Sequence, residues 1–327
     1  MTFTRTLGHS GIKVSALGMG CWAIGGPFWA DETPLGWGKV DDEESIRAIH
    51  RALDLGVNFF DTADVYGAGH SERVLGQAFA GRRQDVIIAS KFNSLFDETT
   101  RQVTGSSAKP AHIRQACEAS LRRLNTDYVD LYQFHDNGYP VKKAEPVRHT
   151  LEALVKQGKI RAYGWSTDFA DRAAFFAQGA NCASVQFQLN VLDDNPAVID
   201  VCEKHNLAAI NRGPLAMGLL TGKYSADTRP SSDDVRGEKS PGWMVYFQDG
   251  KPNPEWLQKM QAAREILTSG GRTLAQGALA WLWARSEQTL PIPGFRTVAQ
   301  VEENCGAMPL GPLTDEQVRE IDALWGR

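Results

Sequence analysis

Apolar residues in this chain come in short runs set between stretches with helical spacing, and the alternation repeats almost end to end. The first helical stretch is the clearest. In DDEESIRAIHRALDLG, Ile46, Ile49 and Leu53 recur at intervals of three and four, acidic residues crowd the first turn and Gly56 supplies a stop. A strand-like VNFFD follows, then helical SERVLGQAFAG, strand-like DVIIAS, a helix over 111–124, the strand YVDLYQF, a helix over 146–157 and the strand IRAYGW. Beyond these come a helix near 168–177, the strand ASVQFQ, a helix over Pro196–His205, the strands LAAIN and LPIPG, and a helix over 298–307. With SALGMG ahead of the first helix, eight strand candidates alternate with helices. That order predicts a parallel sheet, and eight strand–helix units predict a (β/α)8 TIM barrel.

Two segments break the rhythm. Residues 221–254 are rich in Gly, Pro, Ser and Asp with scattered aromatics (Tyr224, Trp243, Tyr246, Phe247). This long loop after strand seven exceeds any ordinary βα connection and reads as a lid or binding loop. Ahead of the first strand, TRTLGHSGIKV reads as an N-terminal β-hairpin turning at residues 9–11, placed to plug the bottom of the barrel. No low-complexity tract, charge run or Pro-rich linker marks a boundary, so a single barrel domain over 1–327 is expected.

Composition narrows the partners. A chain with 42% hydrophobic and 23% charged residues has the makings of a sizeable core. Its net charge of -4 offers no cationic field for a polyanion, so no nucleic acid is expected as partner. No run of about 18 apolar residues exists, so no membrane span is expected. The opening MTFTRTLGHSGIKV lacks the apolar core of a secretory signal, and a cytoplasmic location is expected. Cys21, Cys117, Cys182, Cys202 and Cys305 are odd in number and widely spaced, which reads as buried small hydrophobes rather than a disulfide framework or a zinc site.

In a barrel, the C-terminal ends of the strands converge on one mouth. Here polar residues stand there on six consecutive strands: Asp61, Lys91, His135, Ser166, Gln186 and Arg212. Burying charge so repeatedly for packing alone would cost several kcal/mol per unpaired ion, so an active site is the better reading. Asp61 and Lys91 can pair, and Tyr66 can fold back over them from the loop. An ammonium beside the phenol is expected to lower its pKa, and His135 adds a donor for a carbonyl oxygen. The set suits proton transfer to or from an oxygen on carbon; an activated Ser or Cys, a carboxylate pair for glycoside cleavage and a metal-ligand cluster are missing. GMGCWA matches the glycine-rich dinucleotide turn only weakly, since no helix begins before about Ser45.

At this point the chain resembles the aldo-keto reductases over nearly its whole length. The carriers are GVNFFDTADVYGAGHSERVLGQAF, IIASKF and DLYQFH, which are similar to the family's catalytic stretches. The resemblance implies Asp61, Tyr66, Lys91 and His135 as catalytic residues of an NAD(P)H-dependent carbonyl/alcohol oxidoreductase, with Tyr66 as general acid/base. IRAYGWST resembles the segment that holds the nicotinamide carboxamide; Ser166 carries over, whereas Thr167 departs from the usual Asn, and Gln186 matches the carboxamide-binding Gln. RGPLAMGLLTGKY looks like the loop after strand seven and implies Gly213, Pro214, Leu215, Gly218 and Lys223 as cofactor contacts. At the first strand end Gly20, Cys21 and Trp22 join them. PIPGFRTVAQVEENCGA resembles the final cofactor segment and adds Gly294, Phe295, Arg296, Thr297, Gln300, Glu303 and Asn304.

Arg296 can pair with a 2′-phosphate. NADPH is therefore the favoured cofactor and NADH the second reading, since some members carry further cations where this chain has Gly294 and Gln300. Arg212 stands where many members have an aromatic residue on the nicotinamide, and a cation there is expected to favour the reduced ring. Trp22, Phe28, Trp29, Phe92 and Trp165 are expected to wall the substrate pocket, which suits neutral carbonyls and sugars as small-molecule substrates. Two other classes remain open at this stage: a Schiff-base barrel lyase using Lys91, and a non-catalytic nicotinamide-binding subunit.

Overall fold

The computed structural model describes residues 3–327. The chain enters through an antiparallel hairpin, β1 (Thr4–Thr6) and β2 (Lys13–Ser15), with Arg5 opposite Val14. Its turn presses against the N-terminal ends of two barrel strands. A Cβ on Gly8 would lie 2.4 Å from the carbonyl oxygen of Ala183, and the φ there is +52°, so glycine alone permits the approach.

Eight parallel strands follow in sequential order: β3 (Gly18–Gly20), β4 (Phe59–Asp61), β5 (Ile87–Phe92), β6 (Val129–Phe134), β7 (Ile160–Ser166), β8 (Cys182–Gln188), β9 (Ala208–Arg212) and β10 (Thr289–Pro291). The two ends of the sheet meet at a Gly20–Gly294 bridge, where the Gly20 amide donates to the Pro293 carbonyl at 2.9 Å. All eight strand candidates are therefore present, in a nearly closed (β/α)8 barrel with the N-terminal hairpin at its base.

The period-two alternation of strands sorts the side chains into two apolar layers. Phe59, Ala89, Leu131, Ala162, Ala208, Ile210 and Leu290 point inward and are capped from below by Leu7, Ile12 and Val14 of the hairpin. Phe60, Ile88, Phe92, Tyr132, Phe134, Tyr163 and Trp165 point outward and meet the helices. Those helices are α1 (Asp42–Asp54), α2 (His70–Ala78), α3 (Pro110–Leu124), α4 (Glu145–Lys156), α5 (Ala170–Phe176), α6 (Pro196–His205), α7 (Pro254–Thr268), α8 (Leu274–Arg285), α9 (Val298–Cys305) and α10 (Asp315–Trp325). The start of α1 is set as its sequence implies, with the Asp41 carboxylate accepting from the Glu44 amide at 3.1 Å.

Helices α7, α8 and α10 go beyond the sequence reading. In α8, nine of twelve residues are buried, so it lacks the apolar stripe by which an amphipathic helix is recognised. Near the mouth, the loops after β3 and β5 form a four-stranded patch from Trp29–Ala30, Thr33–Pro34, Ser94–Asp97 and Gln102–Ser106.

The long loop after strand seven is there, and it is clasped to the first loop. Trp37 bridges to Asp234, the Val235 amide donates to Gly36 at 2.7 Å, and the Arg236 guanidinium lies 4.4 Å over the Trp37 ring. All five cysteines are buried and unpaired. Among the described residues no helix is long and apolar enough to cross a membrane, and no group of three His, Cys, Asp or Glu is placed to hold a metal ion.

Candidate active site

Lys91 is the centre of the mouth. It follows Ala89 on the inward face of β5 and is fully buried, so its ammonium needs partners. It finds three: Nζ donates to Asp61 Oδ1 at 2.5 Å, to the Thr62 carbonyl at 2.8 Å and to Tyr66 Oη at 3.3 Å. Asp61 ends β4, and its second oxygen accepts from Gln133 Nε2 at 3.0 Å and Gln186 Nε2 at 2.7 Å. The carboxylate is thus held on both oxygens.

Tyr66 is presented by the tight turn after β4, in which Gly67, Ala68 and Gly69 all have positive φ. His135 directly follows β6. Its amide donates to the Phe92 carbonyl at 2.9 Å, and its ring lies edge-on to Tyr66 with centroids 6.0 Å apart. The imidazole Nδ1 is buried with no hydrogen-bond partner. Asp61, Tyr66, Lys91 and His135 are therefore brought together from three strand ends and one loop.

Burial works against charge on Lys91, but Asp61 and Tyr66 outweigh it and hold the ammonium above the ordinary lysine value. For Tyr66, burial raises the pKa more than the Lys91 ammonium lowers it. The expectation of a lowered phenol pKa is thereby reversed, because burial disfavours the phenolate more than the Lys91 ammonium favours it. Burial, then the charges of Lys91 and Arg212, push His135 down to about 3, so its imidazole is neutral at physiological pH.

The residues expected around this centre divide. Trp22 stacks on Tyr66 with centroids 5.8 Å apart, and Trp37 and Trp243 meet Trp22 at 5.4 Å and 6.1 Å. Phe28 is buried against Ala63 and Val65 behind the Tyr66 turn, and Trp29 lies half-buried in the accessory patch. Phe92 and Trp165 do not wall a pocket. Each follows an inward residue by one position, so each points outward: Phe92 stacks on Tyr132 at 4.7 Å, and Trp165 packs on Phe176 at 4.6 Å. The side chains of Cys21 and Phe295 likewise belong to the outer apolar layer and not to the mouth. Gln186 turns its amide onto Asp61 rather than outward.

At the rim, Ser166 ends β7, and Thr167 donates its hydroxyl to the Asn137 carbonyl at 3.0 Å. Arg212 ends β9 and is not a lone cation: Nη2 meets Asp168 Oδ2 at 2.5 Å and Nη1 meets Gln188 Oε1 at 3.0 Å. The preference for a reduced ring drawn from a free guanidinium loses its basis. Gly213, Pro214 and Leu215 follow in the turn leading to the short helix Ala216–Thr221, which contains Gly218, while Lys223 is exposed beyond it. Arg296 donates to the carbonyls of Trp37, at 3.0 Å, and Lys39, tying the last strand's loop to the first. Thr297 caps α9 by accepting from the Gln300 amide at 3.3 Å, Gln300 Oε1 accepts from the Arg296 amide at 2.7 Å, and Asn304 donates to the Gly294 carbonyl at 3.4 Å. Glu303 is exposed.

Gln133 and Asp168 were not anticipated. Gln133 had a signal, since it stands two residues before His135 and two after Leu131 on a strand whose alternate residues face inward. Asp168 lies beyond a strand end, where periodicity says nothing.

A barrel whose mouth carries a buried Asp–Lys pair with a Tyr and a His beside it defines a narrow class. The Aldo/keto reductase family model matches residues 16–326, and the chain belongs to that family. It is 31% identical over 328 residues to the NADP(+) aldo-keto reductase yakc of Schizosaccharomyces pombe, covering 97% of this chain and 90% of that one. Among solved structures, the glycerol dehydrogenase AKR11B4 of Gluconobacter oxydans superposes with TM-score 0.82 at 33% identity, covering 99% of this chain and 95% of that one. An aldo-keto reductase of Klebsiella pneumoniae in complex with NADPH superposes with TM-score 0.71 at 25% identity, covering 99% and 96%.

Proposed function

We propose that this chain is an NADP(H)-dependent oxidoreductase that interconverts a small-molecule carbonyl and its alcohol, with Tyr66 as the general acid/base. The observation that carries the reading is Lys91 Nζ, which bridges Asp61 at 2.5 Å and the Tyr66 hydroxyl at 3.3 Å, with the His135 ring edge-on to that phenol. The family membership supports the reaction class. The cofactors named for the yeast and Klebsiella relatives favour NADPH over NADH. The residues fit such a group: Ser166, Arg212, Gly213, Gly294, Arg296 and Thr297 would hold it along the rim between β7, β9 and α9.

When bound, the nicotinamide supplies or accepts the hydride at the carbonyl carbon. The neutral His135 fixes the oxygen on that carbon by a hydrogen bond. Tyr66 gives that oxygen its proton in reduction and takes it back in oxidation. Lys91 presents a fixed positive charge to the phenol oxygen, which stabilises the phenolate formed as the proton leaves. Asp61, clamped by Gln133 and Gln186, holds Lys91 in place. A Schiff base would need a neutral amine with a free lone pair, and Lys91, held protonated with all three donors engaged, is a poor candidate. The aromatic group of Trp22, Trp37 and Trp243 over Tyr66 suits a neutral substrate, and we take 1–327 as one domain, since no part of the site is complete without strands from both halves.

The test is Tyr66→Phe. Turnover of a panel of aldehydes, ketones and sugars with NADPH should fall by about 10²–10⁴-fold, while NADPH affinity, read by quenching of tryptophan fluorescence, stays unchanged. Near wild-type turnover in the variant would remove Tyr66 from its role, and an absence of turnover and of NADPH binding in the wild type would remove the reading itself.

A further inference from the structure

Asp168 is tied down by five hydrogen bonds. Its Oδ2 accepts from Arg212 Nη2 at 2.5 Å and from Asn137 Nδ2 at 2.9 Å, and its Oδ1 accepts from the Gln188 amide at 2.7 Å. The backbone is held as well: the Asp168 amide donates to Asn137 Oδ1 at 2.8 Å, and Asn195 Nδ2 donates to the Asp168 carbonyl at 3.0 Å. Four elements converge on it in its loop after β7: the loop after β6, the ends of β8 and β9, and the segment before α6. Arg212 is gripped on its other arm by Gln188 Oε1 at 3.0 Å. A partly exposed ion pair adds little stability of its own, yet this one is fixed by three bonds to the carboxylate and two to the backbone of Asp168.

The location gives a reason. Arg212 stands at the end of β9 on the inward face, and its charge is felt by both Tyr66 and His135, the two groups that hold the reacting oxygen. A ring that exchanges hydride with the carbon bearing that oxygen must come within reach of the same charge. An oxidised nicotinamide ring is cationic and a reduced one is neutral, so a bare guanidinium here would oppose the oxidised form. The deeper charges already cancel, since Lys91 is paired with Asp61. Asp168 completes the balance at the rim.

We propose that Asp168 is a charge-balancing positioning residue: it fixes Arg212 at the mouth while cancelling its charge, so that the site accepts oxidised and reduced nicotinamide without penalising either. The proposal rests on the NADP(H) reading and assigns Asp168 no contact with the reacting atoms. Its consequence is reversibility, because the relative affinities of the two redox forms set how the bound equilibrium lies.

The experiment measures the dissociation constants of NADP+ and NADPH by tryptophan fluorescence quenching in the wild type, Asp168→Asn, Arg212→Gln and the double variant. Asp168→Asn leaves Arg212 uncompensated, and the ratio Kd(NADP+)/Kd(NADPH) should rise by about fivefold or more. Arg212→Gln leaves the aspartate uncompensated, and the ratio should fall below the wild-type value. The double variant should return it toward wild type. A purely structural role would weaken both forms equally and leave the ratio unmoved, which overturns the proposal while sparing the NADP(H) reading. If Asp168→Asn fails to fold, the comparison of Arg212→Gln with the double variant decides: a lower ratio in Arg212→Gln supports the proposal, and equal ratios overturn it. Failure of the wild type to bind either form overturns both.

Discussion

Tyr66 and Lys91 stand 3.3 Å apart, yet the phenol keeps its proton more tightly than a free tyrosine does. The sign matters for pH dependence. With Tyr66 in the proposed role, reduction uses the protonated phenol and its rate should stay flat through neutrality, whereas oxidation uses the phenolate and should climb as pH rises. His135, neutral down to about 3, should add no limb near its ordinary value of 6.5. Profiles of kcat in both directions check this, and a reduction limb falling near pH 7 would contradict it. Asp61, Lys91 and His135 were legible because polar residues recur at strand ends, and Tyr66 in the loop after Asp61 joined them through the family resemblance. Residue identity did not reveal which force dominates the phenol, because the burial that outweighs the Lys91 charge exists only in the folded mouth. Phe92 and Trp165 show the same limit from the other side: an aromatic residue one position from a site residue points away from the site.

At the scale of the element, the turn that carries Tyr66 depends on one close approach. A Cβ on Gly67 would fall 1.8 Å from the Gly25 carbonyl oxygen, and the φ there is +62°. Gly67→Ala must therefore push the turn and the first loop apart, at a cost of about 1–3 kcal/mol, and displace the phenol from Lys91. The expected result is a lower Tm together with a loss of kcat larger than the loss of NADPH affinity, read from thermal melts and steady-state kinetics. Strands and amphipathic helices were legible because their periods of two and 3.6 leave a mark on the sequence. Helix α8 left none, being buried on nearly every face, and the accessory strands of two to five residues are too short to show an alternation.

In the whole molecule, stability and chemistry sit at opposite ends. The hairpin closes the N-terminal ends of the strands with Leu7, Ile12 and Val14, while the charged group lies at the C-terminal ends. Leu7→Ala should cost about 2–5 kcal/mol, seen as a lower midpoint in urea unfolding, and leave kcat and KM of the folded protein unchanged. A change in KM would mean that the two ends are coupled. By itself the sequence determined the alternation of strands and helices, hence the parallel barrel, and the residue types at its mouth, because both are written in local periodicity. Only the tertiary structure decided which partners those residues take: Gln133 and Gln186 on Asp61, Asp168 on Arg212, Trp37 beneath Arg236 and bonded to Arg296. Such pairs join residues tens to hundreds of positions apart. Their energies depend on burial and on distances of a few ångströms, neither of which exists until the barrel has closed.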